Sequence, residues 1–368
     1  MLSTLPSFQK HFGIDSGSDA GQIRNFVSLV GIGDTVGAAL SFFVNDRIGR
    51  LWSYRLYIFI WAIGQFLAIF APNLAALYAS RIITGIGLGG LIVICPVAIV
   101  EIAPAEIRGI LTSWYVVAMG FAHGVSSFCV YGVYTNPHLQ DTKLQFQIVW
   151  AAPVIFMGVC VAASFFLSES PRWLFLKDRQ EDAVQSLVKL RGLPPTHPRV
   201  QQELHEIYEY LDRENAAHGG SAQAASHWSI IKETFTVPAN LRRVQQILIL
   251  YSLPQLSGAS AVSSYFVPVL KIIGVKGDAS HKIFLTGMYT ISKFFFAIIA
   301  SFFFIDALGR RRSLFVGIAC QMLSDIYVGT YIKVQKDHGV PKSASQAALA
   351  AIFIQAFGFS VGELLAHQ

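Results

Sequence analysis

Long apolar segments separated by short polar ones are the feature that most constrains how this chain can fold. Each segment is rich in Leu, Ile, Val, Phe and Ala and long enough to cross a bilayer, which takes about 20 residues. Backbone groups in lipid must be hydrogen-bonded within their own segment, so each segment is predicted to be a helix. The nine segments are residues 22–44, 56–74, 78–100, 110–134, 147–167, 246–270, 283–305, 313–332 and 346–365.

The composition fits a membrane protein better than a soluble globule. Only 14% of the 368 residues are charged and 53% are hydrophobic, whereas a soluble domain carries about a quarter of charged residues. The net charge is +6, but Lys and Arg lie beside the apolar segments, where they orient helices, rather than in one basic stripe. The lipid bilayer is therefore the expected partner, and no nucleic acid is expected.

No motif of an enzyme is found along the chain. There is no P-loop, nucleophile elbow, dinucleotide fingerprint or metal-ligand constellation. The cysteines match neither a zinc site nor a disulfide framework. We predict a protein that is not an enzyme and holds no cofactor or metal, with free thiols among its helices at Cys95, Cys129, Cys160 and Cys320.

One long polar stretch, residues 168–245, interrupts the apolar segments. Within it, residues 177–192 and 199–215 place their apolar side chains on one side of a helix, which predicts two short amphipathic helices. The predicted organisation is an extracellular N-terminal segment (1–21), a five-helix bundle (22–167), a cytoplasmic insert (168–245) and a four-helix bundle (246–368).

A short charged motif closes two of the apolar segments. It reads Asp46-Arg47-Ile48-Gly49-Arg50 after the first and Asp306-Ala307-Leu308-Gly309-Arg310-Arg311 after the seventh. Gly permits a tight turn, and Asp and Arg can pair across neighbouring helix ends. Alternatively, both copies are ordinary arginine-rich cytoplasmic loops. An internal repeat is how many transporters are built, and the arginines put both loops and the insert on the cytoplasmic side.

Three further motifs complete a recognisable pattern. They are Arg81 followed by Gly85, Gly87, Gly89 and Gly90; Pro96 with Glu101, Ala103, Pro104, Arg108 and Gly109; and Glu169-Ser170-Pro171-Arg172-Trp173-Leu174. In this order and spacing, the motifs resemble the sugar-porter family of the major facilitator superfamily. The sequence looks most similar to those of fungal quinate-permease-type proteins and hexose porters. The resemblance covers nearly the whole chain. It implies an all-α, polytopic membrane protein with the major facilitator fold, of whose twelve helices about nine are expected here.

The resemblance also implies a cytoplasmic charge network that latches the inner gate in the outward-facing state. Partly desolvated Arg–carboxylate pairs can bias two states that differ by a few kcal/mol. The expected motion is alternating access, in which one bundle rocks against the other around the substrate. The matching residues are Asp46, Arg47, Arg50, Glu101, Arg108, Glu169, Arg172, Asp306, Arg310 and Arg311.

The family's sugar-binding motif, Q-Q-x-S-G-x-N with two tyrosines following, is altered in the sixth segment. Pro254 replaces the first Gln, Ser260 the Asn and Ser264 the first Tyr. A hydroxyl in place of an amide removes donor and acceptor capacity for a polyol, which argues against glucose. The predicted substrate-binding residues are Gln255, Ser257, Ser260, Ser264 and Tyr265; alternatively, Gln255, Ser257 and Ser260 bond helix to helix.

Two ionisable residues lie inside apolar segments, His123 in the fourth and Asp325 in the eighth. Such residues mark proton relays or polar contacts between helices. For His123 we favour the contact, and Asp325 is given no role.

The resemblance implies a secondary transporter of a sugar or polyhydroxylated acid, a hexose or quinate, in the plasma membrane. Its partners would be that small molecule and, in a symporter, protons. The pattern also suggests that one family helix is missing at the front and two at the back. The alternative is therefore a truncated, non-transporting fragment or a regulatory, sensor-like membrane protein.

Overall fold

The computed structural model describes residues 4–14, 20–139, 142–217, 227–256, 258–275, 277–304, 309–338 and 342–366, and no strand occurs among them. The helices are α1 (Pro6–Phe12), α2 (Ala20–Ile48), α3 (Arg50–Ile69), α4 (Leu74–Ile102), α5 (Arg108–Thr135), α6 (Leu144–Ser164), α7 (Pro171–Leu176), α8 (Gln180–Arg191), α9 (Pro198–Ala217), α10 (His227–Thr236), α11 (Pro238–Leu256), α12 (Ala259–Ser264), α13 (Phe266–Ile272), α14 (Ala279–Ile299), α15 (Arg310–His338) and α16 (Lys342–Ala366). The chain is all-α, as predicted.

Seven helices in the described part of the chain are long and apolar enough to cross a membrane: α2, α4, α5, α6, α14, α15 and α16. Each coincides with one of the nine segments that the sequence predicts to span. The two remaining segments, 56–74 and 246–270, are mostly helical but are not among these seven, and they stay predictions as spans. Helix α3 contains Arg55 and Gln65, which lower its apolarity, and residues 246–270 are divided among three helices, α11, α12 and α13.

The break in the sixth segment falls in the altered sugar-binding motif. Gly258 has φ +79°, a left-handed conformation that glycine adopts at little cost, and α12 begins directly after it. Tyr265 separates α12 from α13. Irregular backbone at membrane depth occurs where it is buried in protein or lines a cavity. The motif therefore lies on irregular backbone and not on a continuous helix.

Glycines bring α2 and α4 into close backbone contact. A Cβ atom on Gly37 would overlap the backbone of Ile86, and one on Gly89 would overlap the backbone of Asp34. Small residues are the usual means of close helix packing in membranes. The glycine-rich stretch of α4 thus serves as a packing face for α2.

The contacts divide the chain into two compact units. The first consists of residues 1–23, 109–149 and 247–368, and the second of residues 24–108 and 150–246. In the first unit, Phe266 stacks on Tyr289 with ring centroids 4.3 Å apart. Its core is completed by Leu270, Ile273, Tyr331, Ala348, Ile352 and Ala356.

The second unit includes the polar insert, in which α8 and α9 lie where the two amphipathic helices are predicted. Helix α8 ends where Gly192 takes φ +63°. The apolar faces of both helices pack on α7 rather than on lipid, because the insert has a small core of its own. That core is formed by Trp173, Leu174, Phe175, Ala183, Leu187, Val200 and Leu204.

Candidate functional site

The charged motif after α2 places the guanidinium of Arg50 at the centre of a hydrogen-bonded cluster. Arg50 is the first residue of α3, and the preceding Gly49 has φ +101°. Its Nε donates to Glu101 Oε2 at 2.9 Å and its Nη2 to Glu101 Oε1 at 2.7 Å. Its Nη1 donates to Asp46 Oδ1 at 2.8 Å and to the Asn45 carbonyl at 3.2 Å. The motif thus joins the ends of α2, α3 and α4.

Burial makes the Arg50–Glu101 pair the stronger of the two ion pairs. The side chains of Arg50 and Glu101 are 8% and 11% exposed, whereas that of Asp46 is 63% exposed. Two parallel N–H···O bonds to one carboxylate give both strength and defined geometry. Solvent weakens the exposed pair with Asp46.

Glu169, which precedes α7, adds a fourth segment to this cluster by capping α3. Its Oε1 accepts the backbone N–H of Arg50 at 2.9 Å, and its Oε2 accepts that of Leu51 at 3.1 Å. A carboxylate at a helix N-terminus satisfies otherwise unpaired donors and interacts favourably with the helix dipole. A Cβ atom on Gly49 would lie 2.9 Å from Glu169 Oε2 and 3.1 Å from the Trp173 ring, so this turn requires glycine.

The structure therefore brings together Asp46, Arg50, Glu101 and Glu169 from the predicted charge network. Arg47 is exposed in the last turn of α2. The remaining predicted members lie elsewhere or are not described. Arg172 Cζ lies 4.7 Å from the centroid of the Tyr210 ring, Arg108 and Arg311 are exposed, and Asp306 and the side chain of Arg310 lie outside the described residues.

Arg191 and Arg199 connect the insert to the end of α4 and to the loop after it, through contacts that the sequence did not predict. Arg191 Nε donates to Glu203 Oε2 at 2.9 Å, and its Nη1 donates to the carbonyl of Ile102, the last residue of α4, at 3.0 Å. Arg199 Nη2 donates to Glu106 Oε1 at 2.8 Å. These contacts extend the cluster, because Glu101 lies on the last turn of the same helix.

The pKa of Glu106 is lowered, first by a hydrogen bond from its own backbone N–H and then by the nearby Arg199 and Arg191. A cavity of about 190 Å³ lies between this loop and the insert. It is lined by Glu101, Arg108, Arg172, Arg191 and Glu203, among others. Arg108 and Arg172 thus border a polar cavity together with Glu101, and their membership of the charge network stays a prediction.

The predicted substrate residues lie at the two ends of the break in the sixth segment. Gln255 is exposed near the end of α11, Ser264 is exposed at the end of α12, and Tyr265 is half-buried. Ser257 and the side chain of Ser260 lie outside the described residues. Substrate binding by these residues stays a prediction.

A lysine that the sequence analysis passed over lies beside this motif. Lys293 Nζ donates to Ser263 Oγ at 2.7 Å and lies 4.2 Å from the centroid of Phe359 and 4.9 Å from that of Tyr289. The signal was present, since Lys293 is charged and lies inside the apolar segment 283–305. Charged residues inside membrane helices are functional candidates.

Asp34 of α2 and Arg81 of α4 are two ionisable residues inside apolar helices. They lie close enough to interact electrostatically. Asp34 Oδ1 and Arg81 Nε are both buried without a hydrogen-bond partner. Arg81 Cζ also lies 4.3 Å from the Phe26 ring centroid. Ionisable residues at such depth are candidates for a functional role.

Asp325, in contrast, contributes to helix packing. Gln355 Nε2 donates to Asp325 Oδ1 at 2.8 Å and so connects α15 to α16. This hydrogen bond explains why a carboxylate lies inside the span, and no role in transport is needed to explain it.

A family model and several curated proteins match this chain over most of its length. A family model described as "Sugar (and other) transporter" matches residues 1–366. The probable quinate permease of Aspergillus niger is 30% identical over 357 residues, which cover 95% of this chain and 65% of that protein. The quinate permease of Emericella nidulans is 30% identical over 355 residues, with the same two coverages. The chain thus spans about 65% of the length of these curated relatives.

Solved structures show the same fold. The major facilitator proton:xylose symporter XylE, bound to 6-bromo-6-deoxy-D-glucose, has a TM-score of 0.78 and 22% identity, covering 98% of this chain and 75% of that one. A partially occluded inward-open form of XylE from E. coli has a TM-score of 0.74 and 20% identity, covering 98% and 83%. The likeness shows the major facilitator fold expected from the sequence motifs.

Proposed function

The chain belongs to the sugar (and other) transporter family, and from this premise we propose that it is a secondary carrier of a sugar or polyhydroxylated acid, a hexose or quinate. It is a multi-pass membrane protein, with the plasma membrane as its expected location. The observation that carries the proposal is the cluster in which Arg50 joins the ends of α2, α3 and α4 while Glu169 caps α3.

This cluster is suited to act as a latch. Hydrogen bonds to charged groups are worth about 1.5–3 kcal/mol each, and only bonds that differ between two conformations bias the equilibrium between them. Asp46, Arg50 and Glu101 all belong to the bundle 22–167, so the bonds that can change as the bundles move are those from the start of α3 to Glu169 in the insert. We propose that the bundles 22–167 and 246–368 alternate in access to a substrate, with the insert 168–245 on the cytoplasmic side.

We further propose that transport is coupled to protons through Asp34. Its carboxylate lies inside the apolar helix α2 and near enough to Arg81 of α4 to feel its charge. Helices α2 and α4 pack closely through glycines. Protonation would release the arginine from its counter-ion, and a change of charge inside a span can select between two conformations.

Uptake of radiolabelled quinate and hexoses by cells that lack their own carriers tests the proposed function. We expect saturable uptake of one of them above an empty-vector control, and loss of accumulation when an uncoupler collapses the proton gradient. A protein that reaches the membrane but takes up no sugar, polyol or quinate would instead favour a non-transporting, regulatory membrane protein.

A further inference from the structure

Lys293 occupies an unusual position for a cation. It lies 14 residues after Ala279, the first residue of α14, or about 21 Å along the helix at 1.5 Å per residue, and inside a span whose hydrocarbon layer is about 30 Å thick. A lysine at this depth commonly extends its side chain to the membrane surface. Lys293 instead directs its ammonium at Ser263 of α12, 2.7 Å away.

The surroundings of the ammonium are built from several helices of the first unit. The rings of Tyr289 on α14 and Phe359 on α16 lie against Nζ, and Ser263 of α12 accepts a hydrogen bond from it. The hydroxyl of Ser360 also donates to the backbone carbonyl of Lys293 at 3.2 Å. The ammonium is thereby held by two rings and the Ser263 hydroxyl, in the first unit and next to irregular backbone.

We propose that Lys293 is the anchor for the carboxylate of an anionic, polyhydroxylated substrate, and that it makes the carrier select an acid over a neutral sugar. The inference rests on the proposed carrier function and narrows its substrate class. An ammonium has three donors, so Lys293 can bind a carboxylate while it still donates to Ser263. Charge-assisted bonds of this kind are the strong ones in proteins.

The altered sugar-binding motif supports the same choice of substrate. Ser263 immediately precedes Ser264 and Tyr265, the two described members of the motif's second part. Where sugar porters use amides to hold a neutral polyol, this chain has Pro254 and Ser260. A substrate with one full negative charge can still bind tightly without these amides, because its ion pair replaces the bonds to its hydroxyls that are lost. In this chain a single ion pair therefore supplies the binding energy that amide–hydroxyl hydrogen bonds supply in sugar porters.

Binding of two matched ligands to the purified protein tests this inference. The ligands are quinate and its neutral methyl ester, with binding measured by competition against radiolabelled quinate. Lys293→Gln keeps a hydrogen-bonding group near Ser263 but removes the charge. Lys282→Met, on the first turn of the same helix, removes one positive charge elsewhere and is the control.

The wild-type protein should bind quinate about tenfold to a hundredfold more tightly than the ester, the range expected for a charge-assisted bond. In Lys293→Gln this ratio should fall close to one, with the ester's affinity unchanged, and in Lys282→Met it should stay at the wild-type value. Lys293→Arg, which keeps the charge if the neutral variant does not fold, should retain the preference for quinate over the ester.

Three results would overturn the inference. An unchanged preference for quinate in Lys293→Gln would show that the charge is not used, while the carrier function stands. An equal loss of affinity for both ligands would show that Lys293 only supports helix packing. If the wild-type protein bound neither quinate nor a hexose and transported neither, the proposed function would fail, and the inference with it.

Discussion

Arg50 shows how one side chain can connect three helix ends. Its guanidinium makes four hydrogen bonds, two of them to the buried carboxylate of Glu101. Glu101 depends on this cation for its burial, because a buried charge without a partner is costly. Asp46, which is largely exposed, does not depend on it in this way.

Replacing Arg50 with Met should therefore destabilise the protein strongly. Removing one partner of a buried ion pair costs about 3–5 kcal/mol, whereas Asp46→Asn should cost less than about 1 kcal/mol, as for exposed pairs. Thermal unfolding in detergent measures both. Equal shifts in the two variants would show that the buried pair is not the stronger one.

A second residue-scale prediction concerns Asp34. Asp34→Asn should abolish proton-driven accumulation but leave exchange of labelled for unlabelled substrate intact, since exchange needs no net proton movement. Asp325→Asn is the matched control, because an asparagine oxygen can still accept the bond from Gln355. Uptake with and without a pH gradient, beside counterflow, separates the two activities. Intact accumulation in Asp34→Asn would contradict the assignment.

The sequence predicts individual residues well only where a motif fixes their spacing. Asp46 and Arg50 lie four residues apart and Glu101 ends a recognisable helix, so their meeting could be anticipated. Arg191 and Glu203 belong to no such motif. Their pairing depends on how α8 and α9 pack against each other, and an amphipathic pattern does not specify that packing.

At the scale of helices, the contact between α2 and α4 depends on residues that have no side chain. Gly37→Ala should overlap the backbone of Ile86 and destabilise the protein by about 1–3 kcal/mol, as overpacking does. Gly31→Ala, on the same helix with open space around it, should be neutral or slightly stabilising because alanine favours helix formation. Thermal unfolding of the two variants tests this, and similar losses would argue against tight packing at Gly37.

Helices were easier to predict than their interruptions. Apolar runs of sufficient length revealed α2, α4, α5, α6, α14, α15 and α16, because length and hydropathy are what a bilayer requires. The division of residues 246–270 was not predicted, because the segment is long enough for one span and the interruptions at Gly258 and Tyr265 are changes of backbone conformation. Hydropathy reports the environment of a segment and is insensitive to one left-handed residue.

At the scale of the whole molecule, the expected orientation can be tested by labelling single cysteines. In a variant without the native cysteines, Thr196→Cys in the insert and Arg312→Cys after the second charged motif should not react with a membrane-impermeant maleimide in intact cells. Asn136→Cys, which follows α5, should react. Labelling at Thr196 in intact cells would reverse the proposed topology.

The position of the Arg50 cluster in the sequence affects how the chain folds while it is being synthesised. Its hydrogen bonds join residues 45 to 169, and the insert's own core is complete at Leu204. Both lie in the second unit, all of which precedes Ile247. Ribosomes add about 5–20 residues per second, and early domains fold first. The nascent chain therefore has several seconds in which to assemble this part before α12 to α16 emerge, so defects in it should be exposed to quality control early in synthesis.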